Sequence, residues 1–166
     1  MKAYLYCTKA KPSLRLHDAL GKDKIIANGF IVAACDVASI RKTVVPYAEG
    51  TCLSEKEMVE YMAGKPVYLY DIKNVVPFKE PMKLSSFFYY DQDADRDPKP
   101  IDKAPQSWMY ADVEIDEEGT LFSDAHGYPV LIISLKSKYL SLIVNGYKTV
   151  EVRKTAPRLT DAEVVE

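Results

Sequence analysis

An alternating run of charged side chains lies near the end of the chain, at residues 148–153 of the segment GYKTVEVRK. Neighbouring side chains of a β-strand point to opposite faces, so Thr149, Glu151 and Arg153 are expected on one face. An arginine can bind a phosphate or a base edge, and a glutamate can accept a hydrogen bond from an exocyclic amine. With Lys148 at its mouth, this polar row predicts a nucleotide-binding cleft. The alternative is a solvent-facing strand with a Glu–Arg pair worth under about 1 kcal/mol.

Basic residues are concentrated at the two ends of the chain, although its net charge is only -2. Residues 1–24 carry six Lys or Arg against two Asp or Glu, and residues 136–158 carry six against one. If the ends meet in the fold, they form a basic patch that attracts phosphate-bearing ligands, and Lys9 and Lys11 contribute to it. Ordinary solvated charge is the alternative explanation.

Length and composition indicate one globular domain over residues 1–166, since 48% of the residues are hydrophobic and 28% are charged. No apolar run approaches the roughly 20 residues that cross a bilayer, so we expect no membrane contact and a cytoplasmic protein. The cysteines and histidines show no zinc-site spacing, which predicts buried free thiols, no metal and no cofactor. These residues are Cys7, Cys35, Cys52, His17 and His126.

Local patterns place the main elements. An S-x-x-E capping box at Ser54 and Glu57 predicts the start of a helix that ends at Gly64. A second helix is predicted over residues 137–145, with Gly146 as its left-handed cap. Alternating or apolar character predicts strands at residues 3–8, 30–37, 66–76 and 130–135.

Three stretches between these elements lack a clear periodic pattern. Residues 77–105 are rich in proline and contain the acidic run DQDADRD, which predicts a surface excursion rather than a packed element. Trp108 follows it, and we expect this side chain to anchor the chain to the core; a base-stacking platform is the alternative. Residues 111–129 are acidic and turn-rich, as expected of a connector.

A family resemblance emerges from these residues. The run VLIISLKSKYLSLIVNGYKTVEVRKTAPRL closely resembles the opening of ASCH domains, which are PUA-like β-barrel modules with a G-x-K-T-x-E-x-R strand. The segments AYLYCTK, GFIVAACDV, YLYDIKNVVPFKEPMKLSSF and PQSWMY look like the later strands and tail of bacterial and phage-type members. The resemblance covers residues 1–110 and 130–159. It implies an α+β fold, a PUA-like mixed β-barrel with two or three short helices.

The order of these pieces departs from the family, because its usual first block comes last here. We therefore hypothesise a circular permutant: residues 1–110 are the usual second part, 111–129 a connector, 130–159 the usual first part and 160–166 a tail. About 19 residues can span on the order of 60 Å, so reach is no obstacle. A truncated second repeat and a domain-swapped dimer remain alternatives, and a monomer is favoured.

ASCH domains are associated with RNA binding and with coactivator or translation-linked roles. The resemblance therefore implies an RNA or modified-nucleotide partner. The residues expected to line its cleft are Lys148, Thr149, Glu151, Arg153, Lys9 and Lys11.

Some small ASCH members resemble amidohydrolases that remove the acetyl group from N4-acetylcytidine with a Lys, a Thr and a Glu. Lys148 matches the Lys and Glu49 the Glu, whereas Glu151 occupies the Thr position. A carboxylate cannot simply replace a hydroxyl nucleophile, because the acyl intermediate would be a mixed anhydride. A hydrolase of an acylated nucleoside or RNA, using Lys148 and Glu49 with Glu151 as acid–base groups, is thus the first alternative. A protein-interaction domain is the second.

Overall fold

A computed structural model describes residues 1–10, 15–17, 23–90, 97–113 and 129–158, with the backbone alone for 15–17 and 23–26. Within those ranges the chain is a mostly-sheet α+β fold with two α-helices. The elements are β1 (Lys2–Cys7), β2 (Arg15–His17), β3 (Asp23–Ile26), β4 (Ile31–Thr43), α1 (Glu55–Met62), β5 (Val67–Met82), a 3-10 turn (Leu84–Ser86), β6 (Phe87–Tyr89), β7 (Trp108–Val113), β8 (Val130–Leu135), α2 (Ser137–Val144) and β9 (Val150–Arg153).

Seven strands form one mixed sheet in the order β6-β7-β8-β1-β4-β5-β9, and β2 pairs with β3 separately. β1 and β8 are parallel, whereas the other pairs of the large sheet are antiparallel. The predicted α+β class and mixed sheet are confirmed. Strand pairing does not close the predicted β-barrel within the described residues, because the end strands β6 and β9 are not paired with each other. β9 lies against β5 and not beside β1.

Side-chain hydrogen bonds, and not strand pairing, connect the chain after β9 to β7. The indole Nε1 of Trp108 donates to Thr155 Oγ1 over 3.1 Å, and the Tyr110 hydroxyl donates to the carbonyl of Arg158 over 3.1 Å. The Tyr70 hydroxyl on β5 donates to the carbonyl of Thr155 over 2.7 Å. Trp108 also packs against the main core, as expected of an anchor. The sheet is therefore curled, although its hydrogen-bonded ladder stays open.

The centre of the sheet is buried on both faces. On β1, Leu5 and Cys7 join the main core, whereas Tyr4 and Tyr6 enter a second cluster on the opposite face. This alternation follows the two-residue period of a strand. α2 covers the main core with Leu140 and Ile143. Full burial of each such side chain stabilises the fold by about 1.5–3 kcal/mol.

The proline-rich excursion packs on the second face of the sheet. Phe87 and Ile101 are fully buried there, and the Phe87 ring lies edge-on to Tyr4 at 4.8 Å. β5 itself continues through Pro77 to Met82. The prediction that residues 77–105 form no packed element is therefore wrong for the described residues 77–90 and 97–105, whereas residues 91–96 of the acidic run lie outside the described part of the chain. Proline is tolerated at the edge of a sheet because it removes no ladder hydrogen bond there. Among the described residues, the outer edge of β5 pairs only with β9, at residues 68–71, so the prolines later in β5 lie beyond this pairing.

Helix α1 begins at the predicted capping box. Ser54 Oγ accepts from the Glu57 amide over 3.2 Å, and Glu57 Oε2 accepts from the Ser54 amide over 2.7 Å. The helix ends at Ala63, which adopts a left-handed conformation before Gly64. Met58 and its neighbours pack under β5 and β9 in a third cluster. In the described part of the chain, no helix is long and apolar enough to cross a membrane.

The predicted connector 111–129 begins inside a strand, because β7 extends to Val113. Ala111 and Val130, at its two ends, are register partners on β7 and β8. Residues 114–128 and the predicted tail 160–166 lie outside the described residues.

Candidate functional site

A cavity of about 680 Å³ lies beside α1, the start of α2 and the ends of three strands. This volume falls within the roughly 300–1,000 Å³ that is usual for small-molecule sites. The ends of β1, β8 and β9 contribute because β1 and β8 run parallel and finish at the same edge. The lining residues are Thr8, Ala10, Leu53, Glu57, Glu60, Tyr61, Gln106, Ser134, Leu135, Lys136, Tyr139, Lys148, Glu151, Val152 and Arg153.

The floor of the cavity is a buried cluster of three charged residues, which we call the floor cluster: Lys148, Glu151 and Arg153. They are only 3%, 7% and 9% exposed. Lys148 Nζ lies 3.4 Å from Glu151 Oε2, and Arg153 Nε lies 3.0 Å from Glu151 Oε1. Two cations therefore share one carboxylate, so the floor carries a net charge of +1. A buried excess charge is costly unless further polar groups compensate it.

Backbone carbonyls compensate part of this charge. Arg153 Nη2 donates to the carbonyl of Ser134 over 2.7 Å, and its Nη1 reaches Ser107 Oγ at 3.4 Å. The Arg153 Nε–H is buried and has no hydrogen-bond partner, although Glu151 Oε1 lies close to it. The ion pair is therefore not a directed hydrogen bond. A carboxylate offers about four acceptor positions, so Glu151 retains capacity for a ligand.

The loop before α1 holds Lys148 in place. Lys148 Nζ donates to the carbonyl of Thr51 over 2.6 Å. The carbonyl of Gly50 accepts from the amides of Thr149 and Val150, each over 2.9 Å. These bonds attach the start of β9 to the loop, and Lys148 therefore depends on the conformation of residues 50–51.

Two tyrosines form walls above the floor cluster. Tyr61 extends from α1, and its hydroxyl donates to the carbonyl of Val152 over 3.3 Å. Burial raises the pKa of Tyr61, so its hydroxyl remains a donor at neutral pH. Tyr139 extends from α2, and its ring centroid lies 5.7 Å from Lys148 Nζ. A planar group between such walls would contact aromatic surface and the charged floor together.

The structure brings together only part of the predicted cleft. Lys148, Glu151 and Arg153 line the cavity. Thr149 does not, because β9 begins one residue later and the Thr149 side chain is exposed against Gly50. Lys9 is exposed outside the lining, although Thr8 and Ala10 beside it belong to the lining. Lys11 lies outside the described residues.

The predicted Lys148–Glu49 pair is not assembled. Glu49 is exposed, and its carboxylate accepts from the Tyr47 hydroxyl at 3.4 Å. In the described part of the chain, Lys148 instead contacts Thr51 and Glu151. Among the described residues, Glu49 therefore does not reach Lys148 as the hydrolase alternative requires.

Segments from both ends of the chain line the cavity, but the described N-terminal segment contributes only Thr8 and Ala10, and the lining is not basic overall. Three basic and three acidic residues line it: Lys136, Lys148 and Arg153, with Glu57, Glu60 and Glu151. The sequence pattern assigned Glu57 only to a helix cap and gave no role to Glu60. Tyr139 lies within the predicted second helix, but the sequence pattern gave it no place in the cleft, since its position beside Lys148 depends on tertiary packing.

The cysteines differ in burial. Cys7 and Cys35 are buried and free, as predicted. Cys52 is exposed, so the prediction of buried thiols is wrong there; it lies in a loop turn with φ +58°, where its Sγ approaches the carbonyl of Tyr147. Among the residues that the structure describes, no three His, Cys, Asp or Glu side chains are grouped to hold a metal ion.

Comparison with known proteins matches this chain to no family model, no curated protein and no solved structure.

Proposed function

We propose that this protein binds RNA by accepting the base of one nucleotide into the cavity. The observation that carries the proposal is the floor cluster of Lys148, Glu151 and Arg153, buried beneath two tyrosine walls. Base edges combine hydrogen-bond donors and acceptors at adjacent positions. A floor that offers one carboxylate between two cations is complementary to such an edge.

The walls supply the remaining part of base recognition. Stacking of a base on an aromatic side chain contributes about 1–3 kcal/mol, and sequence-tolerant RNA binders depend on it. Tyr61 and Tyr139 provide that surface next to the floor. A purely protein-interaction domain would not need a concave site with buried charges at its base.

We also propose that the fold is a circularly permuted ASCH module of the PUA-like class. Support comes from the register partners Ala111 and Val130, which set the ends of the connector side by side. A chain that runs from residue 130 to 158, continues through a flexible linker into residue 1 and ends at residue 113 would test this. A folded monomer with native ligand binding is expected, since exposed junctions tolerate permutation. An unfolded product or an obligate dimer would instead favour the repeat or domain-swap alternatives.

The RNA-binding proposal is tested by calorimetry with the four nucleosides and with short single-stranded RNA oligomers. The variant Glu151→Gln keeps the shape of the side chain but removes its charge, and we expect it to weaken binding at least tenfold. Asp36→Asn is the matched control, because Asp36 forms its ion pair with Lys2 outside the cavity. Circular dichroism establishes that both variants are folded. The proposal is wrong if the native protein binds no nucleoside or RNA, or if the two folded variants bind equally well.

A further inference from the structure

Three exposed lysines line the cavity or lie beside its two tyrosines, and we call them the rim lysines: Lys136, Lys138 and Lys154. Lys136 itself lines the cavity. Lys138 Nζ lies 5.7 Å from the centroid of the Tyr139 ring, and Lys154 Nζ lies 5.1 Å from that of the Tyr61 ring. Each wall therefore has a lysine against it. Within the described ranges, none of the three forms an ion pair with a carboxylate.

Two glutamates line the same cavity and reduce its positive potential. The Glu57 carboxylate is bound to the amide of Ser54, and this hydrogen bond lowers the pKa of Glu57, with a smaller contribution from the charge of Lys138. Glu60 lines the cavity from the same helix and has no ion-pair partner among the described residues. Three lysines against two glutamates give these five residues a net charge of +1, in addition to +1 at the floor.

We infer that the rim lysines contact the phosphates on both sides of the inserted base, so that a single strand of RNA is held through its backbone as well as through one base. This inference rests on the proposed base-binding function. The rim lysines are placed beside both walls, so a strand with its base between Tyr61 and Tyr139 would carry phosphates past each of them. A free nucleoside would contact the floor cluster but has no phosphate to contact the rim lysines. Binding of a strand should therefore be tighter and strongly dependent on salt.

The test compares two triple variants of equal charge. Lys136→Ala, Lys138→Ala and Lys154→Ala together remove the rim lysines. Lys73→Ala, Lys79→Ala and Lys83→Ala together remove three exposed lysines of β5 and the turn after it, outside the cavity lining. Affinity for a short single-stranded RNA is measured by fluorescence anisotropy over a range of salt concentrations, and affinity for the best nucleoside by calorimetry.

We expect the rim variant to lose about 2 units of the salt slope for RNA, since each single-strand phosphate contact contributes about 0.7. Its nucleoside affinity should change far less than its RNA affinity. The control variant should keep the native slope. In the opposite direction, Glu60→Lys should steepen the slope and tighten RNA binding.

The outcomes separate this inference from the function on which it rests. Nucleoside binding with an unchanged RNA salt slope in the rim variant would overturn the inference and leave the base-binding function standing. Equal losses in the rim and control variants would also overturn it, because they would show a response to total charge. Absence of both nucleoside and RNA binding in the native protein would overturn both.

Discussion

Arg153 on β9 donates from Nη2 to the carbonyl of Ser134 on β8 over 2.7 Å, although their strands are not paired. Among the described strands β9 pairs only with β5, so this contact spans the side of the curled sheet that the ladder leaves open. The same guanidinium faces Glu151 in the floor cluster. One side chain therefore contributes both to the closure of the fold and to the charge of the cavity.

This coupling predicts a large stability effect at Glu151. Glu151→Ala leaves Lys148 and Arg153 buried without a counter-charge, and loss of one partner from a buried pair costs about 3–5 kcal/mol. We expect the free energy of unfolding, measured by urea denaturation, to fall by that amount. Asp36→Ala is the control, since the side chain of Asp36 is 35% exposed and its pair with Lys2 should contribute under about 1 kcal/mol. Similar small losses in both variants would show that the floor cluster is hydrated rather than buried.

Sequence patterns located the local elements because their signals are local. The capping box at Ser54 and Glu57 marks the start of α1, and Gly146 follows α2 with φ +79°. The alternation in residues 150–153 places Glu151 and Arg153 together in the floor cluster. These features depend on neighbours within a few residues, which the sequence shows directly.

Tertiary partners could not be predicted in the same way. Alternation divides a strand into two faces but does not say which strand lies beside it, so the pairing of β9 with β5 was not foreseen. Both faces of β9 are buried, because α1 covers one and the floor cluster lies on the other. Glu49 shows the same limit: the family resemblance implied that it lies near Lys148, yet its carboxylate accepts a hydrogen bond from Tyr47.

The packing of the proline-rich excursion leads to a second prediction. Phe87→Ala should lower the free energy of unfolding by about 3–5 kcal/mol, because the fully buried ring leaves a cavity beside Tyr4. Val76→Ala on β5 is the control, since Val76 is 48% exposed and such surface changes stay within about 0.5 kcal/mol. Both are measured by chemical denaturation. If Phe87→Ala were as mild as Val76→Ala, the excursion would not be part of the core.

The three cysteines should differ in how fast their thiols react. The thiolate is the reactive form, and burial raises the pKa of Cys7 to about 11 and that of Cys35 to about 12. At pH 8 a thiol reagent followed by absorbance should therefore modify one residue per chain quickly, the exposed Cys52. Cys52→Ser should abolish the fast phase, and urea should restore reaction of the two remaining thiols. Fast reaction of more than one thiol in the folded protein would contradict the burial of β1 and β4.

Gly50 provides a test of how the loop before α1 positions β9. Gly50 and Gly64 both have φ +72°, a conformation that costs another residue about 1–2 kcal/mol. A Cβ on Gly64 would meet nothing within 4 Å, whereas one on Gly50 would lie 2.5 Å from Thr149 Oγ1. Gly64→Ala therefore measures the backbone strain alone. Gly50→Ala should cost about 1–3 kcal/mol more, because something must shift to relieve the overlap.

A double variant tests whether Thr149 Oγ1 is the atom that a Cβ on Gly50 would overlap. Thr149→Ala removes Oγ1, so Gly50→Ala combined with Thr149→Ala should recover part of the stability that Gly50→Ala loses, relative to Thr149→Ala alone. RNA binding should follow the same order, because displacement of residues 50–51 moves the Thr51 carbonyl that holds Lys148 Nζ. Unfolding curves and fluorescence anisotropy on the four variants measure both quantities. Full additivity of the two substitutions would mean that the loop yields elsewhere and does not position the start of β9 through this contact.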